Sequence, residues 1–166
     1  MNKDYLVELT NLDYFEEFYK LKCQKDSVLW SGFEKEPDKE QFKDYVINIL
    51  INNPKNHVFF MMDGNTNKVM GYCQFNEEEN GVCEARGCGL FKKYQGCGIA
   101  TDMDLLLIEK AREYGLNYMY SWCSEKNVTS INSITEAGYK KTEEKETRHM
   151  SVLNEDQTFY KWEIYL

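Results

Sequence analysis

Between Tyr5 and Thr10 apolar and polar residues alternate with the period of a half-buried strand. The period then lengthens. Phe15, Phe18 and Tyr19 recur at helical spacing behind Asn11 and Asp13, either of which can cap a helix running to about Lys22. Trp30-Ser31-Gly32-Phe33 interrupts the pattern. Pro37-Asp38 opens a second helix bearing Phe42, Tyr45, Val46, Ile49 and Leu50, and Asn52-Asn53-Pro54 ends it. Val58 to Met62 is an apolar run, Asp63 to Asn67 a turn cluster, and Lys68 to Phe75 the returning strand. A second hairpin turn has Asn80-Gly81 as its strongest part, and Val82 to Phe91 is the next strand. Gly87 and Gly89 within it signal a bulge or a close backbone approach.

A third helix follows, reaching about Tyr114 and presenting Met103, Leu106, Leu107 and Ala111 to a core. Asp102 and Asp104 fall in its first turn, where acidic groups suit the helix dipole, and Gly115 can cap its end. Asn117 to Cys123 reads as a strand, Asn127 to Ala137 as a helix stopped by Gly138, and Lys145–Val152 with Phe159–Tyr165 as a closing antiparallel pair. A three-strand meander followed by a strand–helix–strand crossover predicts a mixed α/β sheet with helices on both faces. No repeat or linker divides residues 1–166, so one domain is expected.

Composition narrows the classes of function. No apolar run reaches the roughly 18 residues that cross a bilayer, and Met1-Asn2-Lys3-Asp4-Tyr5 lacks the apolar core of a signal peptide. A soluble, cytoplasmic protein with no membrane partner is expected. The formal net charge of −8 argues against nucleic acid as a partner and mildly favours cationic ones. Six cysteines with no C-x-x-C pair, and two histidines without ligand spacing, give no pattern for a metal or a disulfide framework.

The chemistry concentrates in Gln95-Gly96-Cys97-Gly98-Ile99-Ala100, where a strand gives way to a helix. Glycines at a helix mouth leave backbone N–H groups bare beside the positive end of the dipole, a ready anion site. A P-loop would need Lys-Ser or Lys-Thr after the second glycine, where Ile99 stands. A dinucleotide fingerprint would need glycine or alanine where Thr101 stands.

The loop resembles that of the GNAT superfamily of acetyl-CoA-dependent N-acyltransferases, Gln/Arg-x-x-Gly-x-Gly/Ala. The approach Leu90-Phe91-Lys92-Lys93-Tyr94 fits too, with Lys92 in place of the customary proline. Asn127, Ile131, Gly138 and Tyr139 match the downstream pattern. The resemblance implies a fold of about seven mostly antiparallel strands, with one splayed parallel pair, and about four helices. It implies acetyl-CoA as co-substrate and no metal. Amides of Gln95, Gly96, Cys97, Gly98, Ile99 and Ala100 would hold the pyrophosphate. Leu90 would pair its backbone with the pantetheine arm, with Leu90 or Phe91 offering an N–H to the oxyanion, and Asn127 would contact the cofactor while capping its helix.

The implied reaction is direct attack of a primary amine, on a small molecule or a peptide, upon the thioester. An alkylammonium has a pKa near about 10 and must first lose a proton. With regular alternation Glu84 shares a face with Leu90, which makes it the candidate general base. The family's thiolate-protonating tyrosine falls at Ile134, which leaves water or Tyr139, Ser133 and Cys123. Cys97 sits at a helix N-terminus that favours a thiolate, but direct transfer needs no acyl-enzyme. Trp30, Phe33 and Glu34, between the first two helices, are acceptor-site candidates through cation–π contact and charge. The final strand pair could join a homodimer. The other reading, favoured by Ile134, is a non-catalytic acyl-CoA-binding or regulatory module.

Overall fold

A computed structural model describes residues 1–166. Strand β1 (Tyr5–Glu8) leads into helices α1 (Phe15–Lys22), α2 (Lys25–Ser31) and α3 (Lys39–Tyr45), the last continuing as a π-helical stretch over Val46–Ile51. Strands β2 (Asn56–Met62), β3 (Val69–Glu77) and β4 (Val82–Leu90) follow. Then come α4 (Ile99–Glu113), β5 (Tyr118–Ser124), α5 (Val128–Ala137), β6 (Lys140–Met150) and β7 (Glu155–Tyr165). The seven strands form one sheet in the order β1-β2-β3-β4-β5-β7-β6. Every neighbouring pair is antiparallel except β4–β5.

Each face of the sheet carries its own core. Phe18, Leu21, Phe42, Val46, Phe60 and Tyr72 pack on the α1–α3 side, and Phe59, Phe75, Met103, Leu107, Ile108, Met119 and Trp162 on the α4–α5 side. The unbroken apolar run Val58–Met62 follows from this arrangement, because β2 is covered on both faces and alternate residues enter opposite cores. His57 ties the first strands together. Its Nδ1 lies 2.9 Å from Glu8 and its Nε2 2.8 Å from Glu77.

Several predicted boundaries hold. Asp38 caps α3 by accepting from the Gln41 amide, and Gly115 and Gly138 turn the chain with positive φ after α4 and α5. Others shift. There are five α-helices rather than four, because α2 lies where the sequence shows only an interruption. Strand β6 begins at Lys140 and β7 at Glu155, so the turn spans 151–154. As an edge strand β6 exposes most of its length, and Lys140–Arg148 carries no apolar alternation to reveal it.

A bulge in β4 corrects one expectation about the site. Phe75 pairs with Ala85 but Cys73 pairs with Cys88, so β4 holds one more residue than β3 there. Parity therefore flips across Arg86-Gly87. Cys83, Ala85 and Leu90 all face the α4–α5 core, and Glu84 lies on the opposite face from Leu90, not the same one.

Candidate active site

The two central strands part company after a short contact. β4 pairs with β5 only over Val82–Glu84 against Tyr118–Tyr120, and a bond from Ser121 Oγ to the Ala85 carbonyl closes the junction. Beyond it, β4 has no partner on that side. The Phe91 amide donates to the Met70 carbonyl at 2.9 Å. By antiparallel alternation this turns the N–H and C=O of Leu90 away from β3, into the gap. It also commits the Phe91 amide and leaves that of Leu90 facing the gap. The Leu90 carbonyl accepts from Gln24 Nε2 and Gln95 Nε2, each at 2.9 Å. Gln24 also accepts from the Lys92 amide, so the α1–α2 junction is clamped onto the end of β4.

The loop after β4 turns through Gly96 (φ +78°) and Gly98 (φ +81°), and an added Cβ at either meets open space. Glycine is required here by backbone angle, not by crowding. No side chain caps α4, and none of the amides from Gly96 to Thr101 finds an acceptor within the protein. Six successive free donors at the start of a 15-residue helix form a concavity suited to an anion. Cys97 is exposed in this loop and its thiol donates to the Tyr94 carbonyl at 3.2 Å. Asn127 caps α5 by accepting from the Ser130 amide at 3.3 Å.

On the α1–α3 side of the gap, Glu84 is held by Arg86, with Nε to Oε2 at 2.7 Å. Tyr120, beside Glu84 in register, donates to Glu78. Lys22 reaches over the Tyr72 ring, its Nζ 4.7 Å from the centroid, without a carboxylate partner. Burial draws its ammonium down to about 8, the neighbouring Cys88 opposing. Of the acceptor candidates, two lie at the surface. Phe33 is 63% exposed and Glu34 exposed, and no hydrogen bond, ion pair or ring contact joins Trp30, Phe33 or Glu34 to β4 or β5.

The proton-donor candidates are poorly placed. Tyr139 is buried and its hydroxyl donates to Met119 Sδ at 2.8 Å; burial raises its pKa far above the ordinary value. Ser133 donates to the Ser130 carbonyl, and burial raises the Cys123 thiol. Ile134 is buried in the core. The sequence reading missed a carboxyl. Asp104 is not a dipole-facing surface acid but is only 9% exposed, on the core-facing stripe with Met103, Leu107 and Ile108. Burial pushes it up to about 7, with the Ser133 hydroxyl beside it pulling the other way. The signal for it was its place in the apolar stripe.

The whole chain superposes on known acetyltransferases. A spermidine N-acetyltransferase from Vibrio cholerae, solved with CoA and spermine, matches with a TM-score of 0.86 at 13% identity, covering 98% of this chain and 95% of that one. A ribosomal-protein-alanine N-acetyltransferase from Brucella melitensis matches at 0.79 and 16% identity, covering 97% and 99%. An aminoglycoside acetyltransferase bound to coenzyme A and kanamycin matches at 0.73 and 14% identity, covering 96% and 94%. No curated protein matches the sequence significantly. The model of the acetyltransferase (GNAT) family aligns with residues 12–139. That span takes in every helix and the parted strands β4 and β5 with the glycine loop between them, and the chain belongs to the GNAT family.

Proposed function

We propose that this chain transfers an acetyl group from acetyl-CoA to a primary amine by direct attack within a ternary complex. The observation that carries the proposal is the run of unpaired amides from Gly96 to Thr101, set beside the unpaired edge of β4. Neutral backbone donors bind a diphosphate without burying a counter-charge, and the open space in front of Gly96 and Gly98 leaves room for it. Gly96 to Ala100 hold the pyrophosphate through their amides, the Gln95 amide being taken by the Lys92 carbonyl; Leu90 lines the pantetheine arm, and Asn127 flanks the cofactor from the α5 cap. Acetyl-CoA supplies the activated acyl group.

Glu84 takes the proton of the incoming ammonium through a chain of intervening waters, using Oε1 because Oε2 is held by Arg86. The amine lone pair then attacks the carbonyl carbon, and the Leu90 amide faces the developing oxyanion. The net charge of −8 steers a cationic acceptor toward the protein. A small amine is the acceptor in this reading, as with the proteins whose structures hold spermine or kanamycin.

Calorimetry with acetyl-CoA, followed by thiol release in the presence of spermidine, kanamycin or an alanine-terminated peptide, tests both halves. Micromolar binding and steady thiol release with at least one amine are expected. No binding refutes the cradle. Binding without turnover for any amine would favour the second reading, a regulatory CoA-binding module, which Ile134 at the tyrosine position supports.

A further inference from the structure

Where β4 has lost its β5 partner, the Cβ positions of Gly87 and Gly89 face the α1–α3 side and are empty, so what stands over them comes from β3 and α2. A Cβ built on Gly89 meets the Tyr72 ring at 3.0 Å and Ser27 Oγ at 3.4 Å. One built on Gly87 meets the Tyr72 hydroxyl at 3.5 Å and the Gln74 side chain at 3.9 Å. Tyr72 therefore lies across β4, with its hydroxyl directed at the segment that borders the gap. Lys22 approaches the same ring from α1, its Nζ 4.7 Å from the centroid. Gln24, two residues on, bonds the Leu90 carbonyl at 2.9 Å. These contacts set a crevice between α1–α2 and β3–β4, beside the strand end whose amide faces the gap.

The polar groups that meet there are unspent. No hydrogen bond or ion pair within the protein engages Lys22 Nζ, Ser27 Oγ, the Tyr72 hydroxyl or the Gln74 amide. Tyr72 is 3% exposed, yet its hydroxyl is not sealed, since the enclosed side-chain polar atoms without partners are Asn76 Oδ1 and the Trp162 indole nitrogen alone. A half-buried ammonium held by ring faces and by no carboxylate keeps an unmet demand for an anion. Arg86, the other cation on this stretch of β4, is taken by Glu84 at 2.7 Å. One cation beside neutral hydroxyl and amide donors matches a singly charged group, a carboxylate rather than a phosphate.

We propose that this crevice is an acceptor subsite for a carboxylate, so that the amine acetylated here is an amino acid or another aminocarboxylate, paired by Lys22 and bonded by the Tyr72 hydroxyl. The inference rests on the acetyl-transfer reading above and narrows its acceptor. Lys22 decides which amines are taken and has no part in the bond changes.

Two measurements test this. The first compares kcat/KM for matched acceptors that differ by the carboxylate: alanine with ethylamine, lysine with cadaverine, and phenylalanine with phenethylamine. It is made in wild type, Lys22→Met and Tyr72→Phe, with calorimetric acetyl-CoA affinity as the check on folding. For the pair that turns over best, wild type should prefer the aminocarboxylate by about tenfold or more, and the preference should vanish in Lys22→Met and weaken in Tyr72→Phe. The second is an NMR titration of wild type with the same compounds, read on the Lys22 ε-methylene and Tyr72 ring signals, which needs neither turnover nor a variant. The aminocarboxylates should move both signals saturably, and their decarboxylated partners should not. A wild-type preference for the decarboxylated amines, or Lys22 and Tyr72 signals that no aminocarboxylate moves, overturns the subsite. So does a preference that survives in Lys22→Met while turnover falls alike on both members, which would place Lys22 at the oxyanion instead. Wild-type protein that binds no acetyl-CoA, or releases no thiol with any amine, overturns the transfer reading beneath it, and the titration still reads the subsite.

Discussion

Replacing Asp104 with asparagine isolates what a buried, unpaired carboxyl does to the fold. The ordinary value for the group is 3.8, and in the folded protein burial lifts it to about 7. The folded state therefore holds this proton more tightly than the unfolded one. The stability linked to it is complete below pH 3.8 and is lost as pH rises through about 7. The rise spans roughly 3 pH units at about 1.4 kcal/mol each, or ~4 kcal/mol of folding free energy forfeited by pH 8. Asparagine is nearly isosteric and uncharged, and forfeits nothing with pH.

Urea unfolding of both proteins at pH 4, 6, 7 and 8.5 reads the difference directly. At pH 4 the two should agree within about 1 kcal/mol. By pH 8.5 the variant should be the more stable by up to ~4 kcal/mol, and with a urea m-value of roughly 2 kcal/mol/M its midpoint should lie up to about 2 M higher. The comparison cancels every other titrating group, since only residue 104 differs. A gap that stays constant from pH 4 to 8.5 refutes the argument, because it would mean that Asp104 ionises alike in both states.

Three further outcomes follow from the site. Gly98→Ala and Gly98→Glu should each cost about 1–2 kcal/mol of stability from the positive φ, but only the glutamate should abolish acetyl-CoA binding by calorimetry. Equal affinities would remove the loop from phosphate binding. Glu84→Gln should lower kcat about 100-fold at pH 7 with little change in acetyl-CoA affinity, and unchanged turnover would take Glu84 out of the mechanism. Alkylation of the exposed Cys97 with N-ethylmaleimide should block acetyl-CoA binding and be slowed by bound acetyl-CoA, whereas Cys97→Ala should keep activity. Loss of activity in Cys97→Ala would revive an acyl-enzyme route.

How far the sequence reveals this molecule depends on whether a feature is written in local residue choice or in pairing between distant ones. The start of α4 at the glycine loop, the stops at Gly115 and Gly138 and the opening of α3 after Pro37-Asp38 are local, since each needs a particular residue for a particular backbone angle or bond, and all were legible. The continuous run of β2 was legible as a strand for a related reason: a strand covered on both faces has no polar side to alternate. Helix α2 was not, because Lys25–Ser31 offers only Val28 to the interior. Nor was the early start of β6, whose exposed edge gives no apolar signal. The bulge in β4 was hinted at by Gly87, yet its effect on Glu84 was out of reach. Which side a residue faces is set by its register with β3, and one unpaired residue reverses it. Asp104 was misread because a first-turn acid has an easy explanation at the surface, and only its burial on the core-facing stripe of α4 excludes it.

The division of labour within the site explains how so few residues in common with its structural neighbours can support the same fold. What the cradle needs is backbone: positive φ at Gly96 and Gly98, a helix left uncapped behind them, and a strand whose far edge has lost its partner. Those conditions constrain two glycines and the point at which β4 and β5 separate, and little else. Side chains around them are then free to move their tasks from one element to another. Lys92 stands where the family resemblance calls for a proline, and its amide, which a proline would lack, donates to Gln24 instead.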